Sequence, residues 1–360
     1  MMSDSIAVRR LRNQHISSPG RRSPADVVAW FGAVQAQEYE PAKWGLGLRM
    51  VDGTTNAQIQ RACDEGRILR THVMRPTWHF VAASDIRWLL ELTAPRVHRI
   101  LSYYNRELEL DPRTLTRCAA VIERALGDRP HMTRAELADG LHRAAMPMTG
   151  NRLARVVMHA ELEGIICSGR RCERHTYALV SERAPKAQRL SRDEALATLG
   201  QRFFSSHGPA TIKDFAWWSG LTAADGKRAV DMIQARREDE DGLTYWTVGE
   251  SRRSASRDRL AYLLPIYDEY LVAYRDRKAV PHGPSKIASA SRSSVTFQHA
   301  LVIGGQVAGT WRLTRTPCGV QIRATPLRRL NSVERRALTA AVERYEDFLK
   351  LSVAFSLVQR

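Results

Sequence analysis

The stretch GAVQAQEYEP, residues 32–41, carries Gln35 and Gln37 on either side of Ala36. A glutamine amide has no pKa in a useful range, so neither side chain is a general base in the ordinary sense. Each offers a carbonyl oxygen that accepts and an NH2 that donates, which suits holding a water molecule or steadying developing charge. Spacing constrains any joint role. Residues i and i+2 stand about 200° apart on an α-helix but share a face on an extended segment. A shared site therefore requires the preceding helix to end near Val34 or Gln35, and Pro41 argues against helix beyond Glu40. The same amides also read as polar caps or solvated side chains, and type and spacing alone leave both readings open.

Other residues could carry chemistry. Glu38 and Glu40 are the nearest carboxylates and read most simply as surface groups. In RPTWHFV, residues 75–81, Thr77 and His79 share one strand face and Trp78 takes the other. Asp268 and Glu269 in YDEY, residues 267–270, are expected to turn inward and pair with Arg275 and Arg277, or else to sit in a site. Cys167, Cys172 and His175 supply three soft ligands without a fourth, and no metal is expected there. No GxxxxGK[ST], GxGxxG after a strand, or GxSxG occurs, which leaves nucleotide hydrolysis, dinucleotide chemistry and serine hydrolysis without support. No lysine is plainly placed as a Schiff-base nucleophile.

The totals restrict the partners. Fifty-five Lys+Arg against 38 Asp+Glu give the 360-residue chain a formal charge of +17. A field of that sign draws polyanions, nucleic acid above all, although a merely arginine-rich composition gives the same number. Hydrophobic residues at 44% and charged residues at 26% fit a globular chain of two or three domains. The five cysteines (Cys63, Cys118, Cys167, Cys172 and Cys318) are scattered and imply no disulfide framework. MMSDSIAVRRLRNQ lacks the apolar region of a signal peptide, and no run of about 18 apolar residues follows. A cytoplasmic location with no membrane partner is expected.

The elements that must position these residues are clearest mid-chain. Thr133 and Glu136 form a capping box that opens a helix to about Arg143. After a turn through Met146, Pro147 and Gly150, a second helix puts Leu153, Val156, Val157 and Leu162 on one face, and Gly164 stops it. IICSGRRCERHTYALV, residues 165–180, then reads as strand, basic turn, strand. Two helices and a hairpin with a basic tip make a winged helix. The pattern recurs upstream, with helices at Pro24–Val34 and Asn56–Asp64 and the hairpin RILRTHVMRPTWHFV. It recurs downstream, with a helix stopped by Gly220, another from Thr222 and the strand LTYWTV; REDED at 237–241 reads as a solvated loop. Arg75 at the first wing, and Arg170 and Arg171 at the second, are candidate phosphate contacts.

The last hundred residues change character. PHGPSKIASASRSS, residues 281–294, reads as an exposed loop, and a hairpin turns at Gly304-Gly305. An amphipathic helix capped by Ser332 follows. The expected fold class is α+β. Tandem winged-helix domains at 1–110, 111–190 and 191–258 precede a small β-barrel or sheet with a closing helix at 259–360.

The blocks VQAQ, RPTWHFV, HTYALVSERAP, LLPIYDEYLVAYRDR and GGQVAGTWR, in this order, resemble the AlkZ-like winged-helix DNA glycosylases over nearly the whole chain. The resemblance implies tandem winged helices and a C-terminal β-barrel in a C shape around double-stranded DNA. It implies excision of alkylated purines, crosslinked bases included, by a glutamine–apolar–glutamine motif that falls on Gln35, Ala36 and Gln37 as catalytic residues. Some relatives carry an acidic residue in the second slot; this chain keeps glutamine. By the same analogy His79 lines the lesion pocket or touches a neighbouring phosphate, unless it is simply hydrogen-bonded within the wing. A purine alkylated at N7 is already cationic and leaves without an added proton, so positioned amides suffice and no cofactor is expected. A monomeric, monofunctional glycosylase is the reading. A non-catalytic winged-helix regulator or damage sensor is the alternative, since it explains the charge without the glutamines.

Overall fold

A computed structural model describes residues 5–249, 261–275, 278–280, 298–317 and 319–358. After α1 (Ile6–Asn13), one unit recurs three times. The first runs α2 (Pro24–Phe31), β1 (Val34–Gln35), α3 (Tyr39–Gly47), α4 (Asn56–Asp64), β2 (Ile68–Val73) and β3 (Arg75–Ala82), with sheet order β1-β3-β2. The long α5 (Ile86–Glu107) leads to the second: α6 (Pro112–Gly127), β4 (Met132–Thr133), α7 (Arg134–Arg143), α8 (Gly150–Leu162), β5 (Ile166–Ser168) and β6 (Thr176–Leu179), with order β4-β6-β5. After the short α9 (Val180–Arg183), the third has α10 (Arg192–Ser206), α11 (Ile212–Ser219), α12 (Ala223–Met232) and the hairpin β7 (Arg236–Glu240)–β8 (Leu243–Thr247). There a single bridge, Ala210 to Trp246, stands where the other units place their first strand.

Local chemistry explains most boundaries. Ser23, Thr55, Thr133, Ser191, Thr211 and Thr222 each close a capping box at a helix start. Gly220 ends α11 in the left-handed conformation that glycine adopts without strain. Three boundaries differ from expectation. The helix expected over Pro24–Val34 stops at Phe31, because Gly32 at φ 88° turns the chain into β1. Pro41 does not prevent a helix: it lies in the first turn of α3, where a missing N–H costs no intrahelical bond. REDED is not a loop, since Arg237 to Glu240 pair in β7 with β8; an exposed two-stranded hairpin lacks the apolar alternation that marks a strand.

The C-terminal part comprises β9 (Ala261–Leu264), α13 (Glu269–Val272), β10 (His299–Ile303), β11 (Gln306–Thr316), β12 (Gly319–Pro326), α14 (Ser332–Leu349) and β13 (Val353–Leu357). The sheet order is β13-β12-β11-β10-β9, with β13 parallel to β12. Its end strands do not pair, so among the described residues the expected barrel is an open five-stranded sheet. Asn331 rather than Ser332 caps α14, in a capping box with Glu334. The segment 281–294 lies outside the described residues.

Packing ignores chain order. The first unit shares a core with the C-terminal sheet, through Phe31, Trp44, Leu263, Trp311 and Phe348. Gly47 permits this approach, because a Cβ there would lie 2.7 Å from the Phe348 ring. Leu69 and Val81 of the first hairpin instead pack with Phe203, Phe215 and Trp218 of the third unit. The second unit keeps its own core around Leu137, Val156 and Tyr177. Each fully buried side chain of this size contributes roughly 1.5–3 kcal/mol. Residues 34–37 consequently sit where the first unit, the third unit and the C-terminal segment meet.

Candidate active site

β1 is antiparallel to β3, pairing Val34 with Phe80 and Gln35 with His79, and the Ala36 N–H continues the ladder to the Trp78 carbonyl at 2.7 Å. Gln35 is therefore on extended chain, and Gln37 lies on the bend that follows it, so the preceding helix has ended before either glutamine. Both side chains are tied to β3. Arg75 donates from Nη2 to Gln35 Oε1 at 2.8 Å, and the Trp78 N–H donates to Gln37 Oε1 at 3.3 Å. Because each donor is an N–H, these contacts fix which end of each amide is the carbonyl. A carbonyl oxygen has two lone pairs, so each keeps one acceptor direction. Gln35 is buried and Gln37 partly open to solvent.

The backbone of the segment is clamped from two sides. Glu269, brought in by α13, accepts the Gln35 N–H through Oε1 at 2.6 Å. Its Oε2 accepts from Trp218 Nε1 at 2.9 Å and faces His207 Nε2 at 3.3 Å. A ring nitrogen facing a carboxylate at that distance carries a proton toward it. Burial pushes the Glu269 carboxyl up, but the His207 donor and the Gln35 N–H outweigh it, and its pKa lies below the ordinary value. Glu269 is thus an anion enclosed directly behind Gln35. On the other side Arg70 donates to the Ala36 carbonyl at 2.9 Å and the Gln37 carbonyl at 3.1 Å, while lying 3.9 Å over the Trp78 ring. Burial lowers Arg70 to about 10, so it stays charged at neutral pH. Glu161 of α8 closes the cluster, accepting from Trp78 Nε1 and lying against His72.

The residues expected from sequence fall into distinct places. Arg75 opens β3 just after the turn at Met74, but its guanidinium is half-buried and serves Gln35 rather than an outer surface. Burial lowers its pKa, and the nearby Glu269 charge opposes that. Thr77 keeps a buried hydroxyl without a hydrogen bond. His79 is fully buried, its Nδ1 2.9 Å from the Thr77 carbonyl and its Nε2 unpartnered, so no phosphate reaches it in this conformation. Burial and the Arg75 charge push it down to about 3, which keeps the ring neutral. Arg170 is exposed at its hairpin tip, with only its carbonyl engaged, by Thr176. Arg171 stacks 4.3 Å over Tyr39, two residues beyond Gln37, so the second hairpin reaches the edge of the site. Cys167 is buried in β5 and Cys172 exposed.

The partners expected for YDEY are corrected. Asp268 forms a two-pronged ion pair with Arg49, both contacts at 2.8 Å, and Glu269 takes the three N–H groups above. Arg275 instead donates its backbone N–H to Asp214, and Arg277 lies outside the described residues. Sequence reasoning missed Arg70, His207 and Trp218 as parts of this cluster. One signal was present for Arg70, a charged residue in the middle of an otherwise wholly buried strand.

Three copies of a helix–strand–helix–helix–hairpin unit, an appended sheet and a buried amide–guanidinium–carboxylate cluster define a multi-unit α+β protein. A family model described as DNA glycosylase AlkZ-like matches residues 28–348, and the chain belongs to that family of DNA glycosylases. Among solved structures, Streptomyces sahachiroi DNA glycosylase AlkZ superposes with a TM-score of 0.81, over 99% of this chain and 100% of that one. At 20% sequence identity, that likeness is one of fold. No curated protein matches the chain in sequence. Among the described residues, no helix is long and apolar enough to cross a membrane.

Proposed function

We propose that this glycosylase is monofunctional, hydrolyses the N-glycosidic bond of N7-alkylated purines in double-stranded DNA, and accepts bulky adducts and interstrand crosslinks. We read the three units as winged helices that grip the duplex as a monomer, with Arg170 on a phosphate. The observation that carries the reading is the pair of tethered amides, Gln35 on Arg75 and Gln37 on the Trp78 N–H, with ionised Glu269 behind them. The free lone pair of each carbonyl accepts a hydrogen of one water molecule and aims its oxygen at the sugar C1′. The C1′–N9 bond breaks with its electron pair going to the base, which leaves neutral because it began cationic. The water oxygen bonds to C1′, and its surplus proton passes to solvent, since both Glu269 oxygens are engaged. The Glu269 anion favours the positive charge that grows on the sugar.

The chemistry is weak by design. Positioning supplies up to roughly 7–11 kcal/mol in well-oriented systems, enough only when the leaving group is already activated. The test is base release from duplex DNA carrying N7-methylguanine, and unhooking of a nitrogen-mustard crosslink. Release is expected from the wild type and not from Gln35→Ala combined with Gln37→Ala. Release that survives both substitutions, or none from the wild type, sinks the reading. Sharp sequence preference without any release would favour the regulator.

A further inference from the structure

Where α5 and α8 pack together, they bring His98, His159 and Glu163 into one cluster, with one ligand atom from each within 4.8 Å of the others. His98 comes from α5. His159 lies in the last turn of α8, and Glu163, four residues on, ends that helix. Glu163 Oε1 is 2.9 Å from His98 Nε2 and 3.9 Å from His159 Nδ1. The ring centroids are 5.2 Å apart. Both nitrogens are enclosed without a hydrogen-bond partner, because the 2.9 Å contact lacks hydrogen-bond geometry.

An ordinary ion pair does not account for this. A bonded pair would satisfy at least one nitrogen, and a carboxylate at a helix C-terminus faces the negative end of the dipole. A cation removes both difficulties. Two metal–ligand bonds of roughly 2.0–2.2 Å span at most about 4.4 Å, so 2.9 and 3.9 Å suit a shared ion. Glu163, with a side chain 47% exposed, has room to adjust.

We propose that His98, His159 and Glu163 bind one first-row divalent cation of the zinc class, with water completing its coordination. Two imidazoles and a carboxylate are the ligand set such ions favour. The ion ties α5, the helix that leads out of the first unit, to α8 of the second. It stands apart from the glutamines, but α8 also carries Glu161, which touches His72 and Trp78. Its role is to hold α8 in place rather than to act on substrate.

Titration of the full-length, metal-stripped protein with zinc chloride tests this by calorimetry, alongside thermal unfolding with and without zinc. The wild type is expected to bind one equivalent and to unfold at higher temperature with zinc. His159→Gln and Glu163→Gln are each expected to weaken binding by roughly tenfold or more and to lose the zinc-dependent rise. Cys172→Ser, which removes an exposed thiol elsewhere, should bind as the wild type does. Circular dichroism without metal confirms that each variant folds, and the half-exposed Glu163 makes its substitution the safer one. No uptake by the wild type, or uptake unchanged in both ligand variants, overturns the proposal.

Discussion

In the second unit, Met132 pairs with Tyr177 and Thr133 with Thr176; Thr133 then caps α7 in a capping box with Glu136. In the third unit the Ala210–Trp246 bridge is followed by Thr211, which caps α11 with Asp214. The first unit repeats the register, Val34 to Phe80 and Gln35 to His79, so Gln35 stands where the others place their capping threonine. There the helix does not begin. Ala36, Gln37 and Glu38 intervene, and Glu38 at the N-cap of α3 makes no side-chain hydrogen bond. A cap is worth about 1 kcal/mol, so the first unit forgoes local stability that its sister units keep. In its place it holds two amides fixed by Arg70, Arg75 and Glu269. A repeat that breaks its own rule in one copy makes that copy the place to test for function.

The largest effect should come from removing the support behind that slot. Glu269→Ala leaves the Gln35 N–H, Trp218 Nε1 and His207 Nε2 enclosed without an acceptor. Losing one partner of such a cluster costs about 3–5 kcal/mol. Urea unfolding measures it. A loss under about 1 kcal/mol would show that the third unit and the C-terminal segment do not hold the glutamines together.

Next in size is Gln35→Thr, which gives the first unit the residue its sisters carry. The strand should accept it, since threonine suits β structure, and unfolding should shift little. Base release should fall by roughly a hundredfold to a thousandfold, the scale of losing one preorganised group in a site. A variant that retains more than about a tenth of the rate would mean the slot is structural after all, as in the other two units.

This contrast also shows what the sequence could and could not disclose. The Thr-x-x-Glu box at Thr133, the helix Asn56–Asp64 and the hairpin over 165–180 were legible because each rests on signals a few residues apart. The pairing of Glu269 with Gln35 spans 234 positions and leaves no local trace. Asp268 and Glu269 turn inward and Glu269 sits at the candidate site, but the partner of Asp268 is Arg49, 219 positions away, rather than the nearby Arg275. The buried state of His79 was equally hidden, because strand alternation assigns a face but not what covers it. The strand patterns left barrel and sheet both open for a related reason, since they do not show whether the two edges meet; the barrel that the resemblance implies is an open sheet among the described residues.

Acid should separate the units more gently. His79 stays neutral down to about pH 3 in the folded state, against an ordinary value of 6.5. Below pH 6.5 the unfolded chain takes a proton that the folded chain refuses, so the stabilising difference is complete above 6.5 and erodes as pH falls toward 3. The slope from this group reaches about 1.4 kcal/mol per pH unit. Glu269, also depressed, adds loss in the same direction below its ordinary 4.5. Urea unfolding at pH 7, 6 and 5 should show a smaller slope for His79→Gln than for the wild type. Identical slopes would mean that His79 is protonated within the fold.

The smallest effect is the most direct control on the comparison. Thr133→Ala removes the hydroxyl that accepts the Glu136 N–H, and Thr211→Ala does the same to Asp214. Each should cost about 1 kcal/mol of stability, the ordinary worth of an N-cap. Base release should stay within twofold of the wild type in both, because neither residue contacts β1 or the Arg75–Gln35 pair. The three equivalent positions then divide cleanly. Two lose stability and keep activity, and the third keeps stability and loses activity. If Thr133→Ala depressed base release as strongly as Gln35→Thr, the second unit would have to be counted within the reacting site, and its capping threonine would no longer serve as the structural reference for Gln35.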